Sequence, residues 1–324
     1  MLTLHDTHPG LTRRELLRVG SLALGGLSLS SLLAAKATAS PASPIRGKSV
    51  IFLFQQGGPT QFETFDPKPE APEGIRTLTG VTRTSLPGVL FGDTLTQLAP
   101  LAHKLNIIRS YHTGNAGHNI IPMVSPDSLN ANIGCLVSRV LGATHPTTGM
   151  PTNAILFPQA ACADVTRGSA RGDMTQTGSL GPSYAPFIPG GNGQLLRNLR
   201  LNLPPERFND RRELAAQLGR LHADLEREPA YQSHDRNQQQ ACEVLLSGRV
   251  ADALDLSREN PRIVAAYDTS RYVPRHNWNH ARRGQRGYYT GQAKSIGKLL
   301  LMARRLCEAG AGFVTIHADY EGVW

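Results

Sequence analysis

The chain lacks the features that mark several common classes of protein. Its 4 cysteines are widely spaced with no C-x-x-C pair, and no repeat of about 20 to 50 residues recurs, which excludes a repeat array. Beyond the N-terminal region no run of about eighteen apolar residues occurs, so we expect the mature chain to be soluble. What remains, 324 residues with 40% apolar residues, 32 glycines and 22 prolines, is typical of a loop-rich globular protein with one large domain or two small ones.

The cysteines leave disulfide pairing open. Four cysteines allow three pairings, and nothing in the spacing of Cys135, Cys162, Cys242 and Cys307 selects one. Cys135 and Cys307 lie on apolar helical faces, and we predict that both are buried as small hydrophobic side chains.

Residues 1–39 are predicted to form a twin-arginine export signal. Arg13 and Arg14 precede an apolar stretch at 19–33 that is too short and too mild to span a bilayer permanently, and residues 37–39 supply an A-x-A cleavage site. A capped amphipathic helix is the alternative, but serines and glycines interrupt every face. We therefore expect a periplasmic or extracellular protein that is exported already folded.

Positive charge is concentrated in one stretch of the mature chain. The formal net charge is +9, and residues 269–307 contain nine Lys or Arg and no acidic residue. Aromatic residues interleave with these arginines, as in proteins that bind single-stranded nucleic acid, but an exported protein seldom meets nucleic acid. We expect either a solvated insertion at about 270–289 or a surface loop that binds an anionic polymer or substrate through Arg282, Arg283 and Arg286.

Apolar runs and helical periodicity alternate along the chain. The pattern predicts strands at 49–54, 105–109, 153–157 and 312–317, and helices at 94–104, 131–141, 210–228, 262–267 and 292–309. We expect the first strand to be central and buried on both faces, because its apolar run is continuous. The alternation predicts an α/β fold in which helices sandwich a mostly parallel sheet.

Polar residues gather where the predicted strands end, which is where ligands bind in such folds. Glu63 and Asp66 follow the first strand, His112 and His118 follow the second, and residues 317–321 follow the last. Carboxylates and imidazoles are ligands of zinc, manganese or calcium, so these four side chains are the candidate metal ligands. For each side chain taken singly, the alternative is a satisfied loop hydrogen bond or a solvated charge.

Several blocks of sequence together resemble the exported bacterial family called domain of unknown function 1501. These blocks are GGPTQFETFDPKPEAPEGIR, LAHKLNIIRSYHTGNAGHN, LGPSYAPF, ACEVLLSGRVADALDLSRE and LLMARRLCEAGAGFVTIHADYEGVW. The resemblance implies an alkaline-phosphatase-like α/β domain over residues 40–324. Its superfamily hydrolyses phosphate or sulfate esters at a metal site above a parallel sheet.

The resemblance also carries expectations for single residues. Glu63 stands where the family usually has Asp, and Asp66, His112 and His118 match family positions. The family continues beyond the position of Trp324 with Asp-Thr-His-Gly-like, Gly-Glu-Phe-Gly-Arg and Arg-Asp-His motifs that this chain does not contain. The resemblance therefore implies a truncated domain whose metal cage is not closed.

The predicted function is a metal-dependent hydrolase of small-molecule or saccharide anionic esters, incomplete or inactive as this chain. Thr60 and Thr64 are the candidate nucleophiles. Two alternatives stay open: a non-catalytic exported protein that binds anionic glycans through the basic aromatic loop, and an incomplete chain without a stable function.

Overall fold

The computed structural model describes eight ranges and four single residues of the chain. These are residues 47–56, 59–112, 114, 117, 119–121, 123–162, 165, 172–190, 203–220, 241, 248–271 and 285–319. The chain divides into two compact units, unit 1 with Met1–Phe54 and Ile120–Ala318, and unit 2 with Gln55–Asn119 and Asp319–Trp324. The predicted export signal at 1–39 lies outside the described residues.

Five strands and five α-helices are described. The strands are β1 (Val50–Gln56), β2 (Val81–Arg83), β3 (Leu90–Gly92), β4 (Asn153–Leu156) and β5 (Phe313–Asp319). The helices are α1 (Ile133–Leu141), α2 (Pro205–Arg220), α3 (Arg249–Leu254), α4 (Pro261–Ala266) and α5 (Gln285–Glu308). Short 3-10 helices connect them, and the strands and helices together confirm a mixed α/β protein.

Unit 1 is built on a three-stranded parallel sheet with the order β1-β5-β4. The register pairs Asn153 of β4 with Phe313 of β5 and continues to Leu156 opposite Ile316. The strands predicted at 49–54, 153–157 and 312–317 are therefore confirmed. All of β4 is buried, as expected for a parallel strand covered on both faces.

The position of the first strand was predicted wrongly. Among the described strands β1 lies at the edge of the sheet, and Val50, Ile51 and Leu53 are 47%, 41% and 37% exposed. The middle position belongs to β5, where Val314 and Ile316 are fully buried. A continuous apolar run favours a strand, but it does not give the order of strands in the sheet.

Two apolar clusters hold the sheet of unit 1. In the larger cluster Leu156 and Ile316 pack with Leu299, Met302 and Leu306 of α5, and α3 contributes Val250 and Leu254 to the same core. The second cluster joins Ile155 and Phe157 to Met123 and Met174. Because Ile155 and Leu156 point to opposite faces of β4, the two clusters cover the two sides of the sheet.

The chain that follows α4 is anchored to the middle of α5. The Thr269 hydroxyl donates to the carbonyl of Ala293 at 2.6 Å and accepts from the amide of Gly297 at 3.2 Å. A Cβ atom on Gly297 would lie 1.8 Å from the carbonyl oxygen of Tyr267, so this close approach requires glycine. The anchor fixes the chain immediately before the basic stretch.

Unit 2 contains a hairpin that the sequence did not predict. Strands β2 and β3 pair antiparallel, with Thr82 opposite Phe91. Phe91 is fully buried, and the ring of Phe65 packs edge-on against it with centroids 5.3 Å apart. This small core also contains Ala99 and Ala102.

The strand predicted at 105–109 is wrong. Residues 105–109 form no strand; Ile107 packs into the small core of unit 2, and Ile108 is 69% exposed. The helix predicted at 94–104 occurs as two 3-10 segments, Asp93–Leu95 and Ala99–Lys104. His112 therefore does not follow a strand, and the strand-end argument for it fails.

The helices predicted at 131–141 and 262–267 agree with α1 and α4 to within two residues. The other two helices begin earlier than predicted, α2 at Pro205 and α5 at Gln285, and residues 221–228 lie outside the described part. Gly310 ends α5 with a φ of 118°, the backbone conformation expected of a glycine cap. Cys135 is buried, whereas Cys307 is only half-buried. None of the described helices has both the length and the hydropathy needed to cross a bilayer.

Candidate functional site

The turn that follows β1 is organised around the carboxylate of Glu63. This residue ends the short 3-10 helix Gln61–Glu63. Its Oε1 accepts from the amide of Leu78 at 2.7 Å, while Oε2 accepts from the Thr77 hydroxyl at 2.9 Å and from the Thr79 amide and hydroxyl at 3.1 and 2.5 Å. These donors, above all the Thr79 hydroxyl, lower the pKa of Glu63 to about 2. The carboxylate thus ties this turn to the chain before β2.

The two candidate nucleophiles differ in what their hydroxyl protons do. Thr60 precedes the 3-10 helix, is exposed, and its Oγ1 accepts from the amide of Phe62 at 3.3 Å. The Thr64 hydroxyl donates to the carbonyls of Thr60 and Gln61, at 2.9 and 3.4 Å. Among the described residues Thr60 Oγ1 only accepts, so no described side chain or carbonyl takes up its hydroxyl proton.

Asp66 sits between two cations in unit 2. Its Oδ1 lies 2.8 Å from Lys68 Nζ and 3.4 Å from Arg109 Nε. Arg109 is itself held, because its Nη2 donates to the carbonyls of Phe65 at 2.7 Å and Leu90 at 3.4 Å. The Asp66 side chain is only 15% exposed, and its Oδ2 has no hydrogen-bond or ion-pair partner among the described residues. The sequence argument missed Lys68 and Arg109, although both lie in the sequence blocks that carry the family resemblance.

The structure does not bring the predicted metal ligands together. His112 is exposed, and His118 lies outside the described residues. Within the described part of the chain no three His, Cys, Asp or Glu side chains are placed so that they could hold one metal ion. Of the two carboxylates, that of Glu63 accepts four hydrogen bonds and that of Asp66 contacts two cations.

The predicted anion-binding arginines cannot be placed as a group. Arg282 and Arg283 lie outside the described residues, and Arg286 is described only as backbone in the first turn of α5. The basic loop stays a prediction.

One histidine of unit 1 is part of the protein interior. His317 is fully buried near the end of β5, stacked on Phe54 at 6.1 Å between ring centroids and edge-on to Phe157 at 6.0 Å. Phe54 belongs to β1 on one side of β5, and Phe157 directly follows β4 on the other side. The sequence placed His317 correctly at the end of a strand, but not its enclosure by aromatic rings.

The fold defines the class of the protein: an α/β protein with a parallel sheet and helices in its larger unit. Residues 47–324 match the model of the family described as "Protein of unknown function (DUF1501)", and the chain belongs to that family. No curated protein and no solved structure was found to match the chain.

Proposed function

We propose that the protein is an exported, metal-dependent hydrolase of anionic esters, namely sulfate or phosphate esters of small molecules or saccharides. The observation that carries the proposal is the turn after β1. Between Thr60 and Asp66 it presents an exposed hydroxyl and two carboxylates. The sequence blocks resemble the family of domain of unknown function 1501, and the alkaline phosphatase and sulfatase superfamily that this resemblance implies supports the same reaction.

Thr60 is the better nucleophile in this proposal. Its Oγ1 would attack the phosphorus or sulfur atom, the ester oxygen would leave as an alcohol after taking a proton, and water would then release the inorganic anion and restore the hydroxyl. Thr64 holds the turn, since its hydroxyl donates to the carbonyl of Thr60. Glu63 fixes the turn from the other side through Thr77, Leu78 and Thr79.

The metal part of the proposal rests on fewer contacts. A zinc, manganese or calcium ion would stabilise the negative charge that develops on the ester oxygen. Asp66, His112 and His118 are the candidate ligands from the sequence, but Asp66 lies beside Lys68 and Arg109, whose charges disfavour a cation there. A catalytic zinc needs three protein ligands, and the described residues alone do not bring three together.

The proposal is tested with the full chain and two threonine variants. After removal of bound metal with a chelator, p-nitrophenyl phosphate and p-nitrophenyl sulfate are assayed with added zinc, manganese or calcium. We expect metal-dependent turnover that Thr60→Ala lowers by about a hundredfold or more, because a covalent step is lost. Thr64→Ser keeps its hydroxyl and should retain most of the activity.

Two results would count against the hydrolase. Turnover that is the same in Thr60→Ala and in the wild-type protein would exclude Thr60 as the nucleophile. An absence of both turnover and calorimetric metal binding in the wild-type chain would reject the function for this chain.

A further inference from the structure

The cluster around Asp66 has an unbalanced charge. Lys68 Nζ and Arg109 Nε approach the same oxygen at 2.8 and 3.4 Å, so the two nitrogens can be at most about 6 Å apart. One carboxylate neutralises only one of these two positive charges. The cluster therefore keeps a net positive charge in a position open to solvent, with the Lys68 and Arg109 side chains 45% and 42% exposed.

Several hydrogen-bond donors of the two cations are not used within the described structure. A lysine ammonium has three donors and a guanidinium has five. Lys68 donates to Asp66, and Arg109 uses Nη2 on the carbonyls of Phe65 and Leu90 and points Nε at Asp66. The remaining Lys68 N–H groups and the whole Nη1 of Arg109 have no partner among the described residues.

Arg109 is also fixed in place before any ligand arrives. Its contacts with the carbonyls of Phe65 and Leu90 hold the guanidinium between the turn after β1 and strand β3. Ordering a long side chain is one of the costs of binding, and here the contacts within unit 2 have already met part of that cost. An ordinary exposed ion pair contributes little and lacks this anchoring.

From this geometry we infer that Lys68 and Arg109 form a binding site for a tetrahedral oxyanion, the phosphate or sulfate group of the ester substrate, and that Asp66 holds the two cations in position. Guanidinium and ammonium groups bind such oxyanions through charge-assisted hydrogen bonds. The assignment rests on the proposed function, since it names the group by which the substrate is recognised. It gives Asp66 a positioning role in place of a metal-binding one, because Lys68 and Arg109 would repel a divalent cation bound to the same carboxylate.

Isothermal titration of the full chain with inorganic phosphate, and separately with inorganic sulfate, tests the site at low ionic strength. We expect millimolar or tighter binding that weakens as salt is added. Lys68→Gln should weaken it by about fivefold or more, because one charge-assisted hydrogen bond is lost. Lys104→Gln is the matched control: it removes the same charge from an exposed lysine of unit 2 with no ion-pair partner among the described residues, and it should change the affinity less than about twofold.

Asp66→Asn separates the two roles of Asp66. In Asp66→Asn the amide oxygen still accepts from Lys68 and Arg109, so the cations stay in position while the negative charge is lost; phosphate binding should remain intact or tighten by about two- to fivefold. A metal ligand at this position would instead lose zinc, manganese or calcium binding on the same change. A thermal melt of each variant establishes that it is folded.

The outcomes are distinct for the site and for the hydrolase. No phosphate or sulfate binding by the wild-type chain, equal losses in Lys68→Gln and Lys104→Gln, or loss of phosphate binding in folded Asp66→Asn would each overturn the oxyanion site. Phosphate binding with the expected pattern but no esterase activity would keep the site and reject the hydrolase. Esterase activity with an unchanged KM in Lys68→Gln would keep the hydrolase and reject the site.

Discussion

The close approach of the Tyr267 carbonyl to Gly297 of α5 gives a prediction in which the sign of the stability change decides the outcome. Replacing glycine by alanine inside a helix ordinarily stabilises it by about 1 kcal/mol, because alanine has the higher helix propensity. At Gly297 the added Cβ would lie 1.8 Å from the carbonyl oxygen of Tyr267 and 2.9 Å from Thr269 Cγ2. Since real Cβ contacts are essentially never shorter than 3.0 Å, the chain after α4 would have to move by more than 1 Å.

The expected size of the effect follows from these two opposing terms. Forcing a methyl group into a packed contact costs about 1 to 3 kcal/mol, and more when the opposing atom belongs to the backbone and cannot rotate away. The movement would also strain the hydrogen bonds of the Thr269 hydroxyl to Ala293 and Gly297. After the gain in helix propensity is subtracted, we expect Gly297→Ala to lower the free energy of unfolding by about 2 kcal/mol.

Urea denaturation followed by circular dichroism measures this change, and a thermal melt gives a second value. A loss of about 2 kcal/mol corresponds to a fall in Tm of about 4 to 8 °C for a domain of this size. Lys294→Ala, on an exposed position of the same helix, is the control and should stay within about 0.5 kcal/mol of the wild type. A higher Tm for Gly297→Ala would mean that helix propensity alone decides the outcome and would refute the contact.

Three further predictions concern charge. The pKa of Glu63 is lowered to about 2 in the folded chain, so the stabilisation by its carboxylate is present above the ordinary value of 4.5 and is lost as the pH falls toward 2. Urea denaturation at pH 7, 5 and 3 should show Glu63→Gln less stable than wild type at pH 7 and a smaller difference at pH 3; a constant difference would contradict the assignment. Changing Arg13 and Arg14 to lysine should leave the protein in the cytoplasm, because the twin-arginine pathway recognises the arginine pair and not positive charge alone, and normal export in cell fractionation would favour the general secretory route. Neutralising Arg282 and Arg283 should lower the salt concentration at which the protein elutes from a sulfated-polysaccharide column, and unchanged elution would reject the anion-binding loop.

Local patterns predicted most of the α/β framework. The strand run before the Gly-Gly-Pro turn became β1, the apolar run after Gly310 became β5, and the periodicity at 131–141 became α1. These signals were sufficient because each depends on residues that are close in sequence. The order of the strands in the sheet does not depend on neighbouring residues. This explains why β1 was expected in the middle of the sheet, whereas it lies at the edge among the described strands.

The candidate site was less predictable because its contacts join distant segments. The sequence identified Glu63 as a carboxylate after a strand, but its four donors come from residues 77–79, fourteen to sixteen positions further along. Arg109 reaches Asp66 and the carbonyl of Phe65 across more than forty residues. No spacing rule connects such segments, so the same acidic residues were equally compatible with a metal centre.

The sequence by itself determined the class of fold, the family, and the presence of ionisable side chains after the first strand, because propensity, hydrophobic periodicity and motif order are properties of neighbouring residues. The tertiary structure decided what those side chains contact. The segment 105–109, predicted as a strand, is irregular; Ile107 packs against the cluster around Phe91, and Arg109 contacts Asp66. A carboxylate expected to bind a metal thereby acquired two cationic neighbours, since the electrostatic surroundings of a group depend on distances that only the folded chain sets.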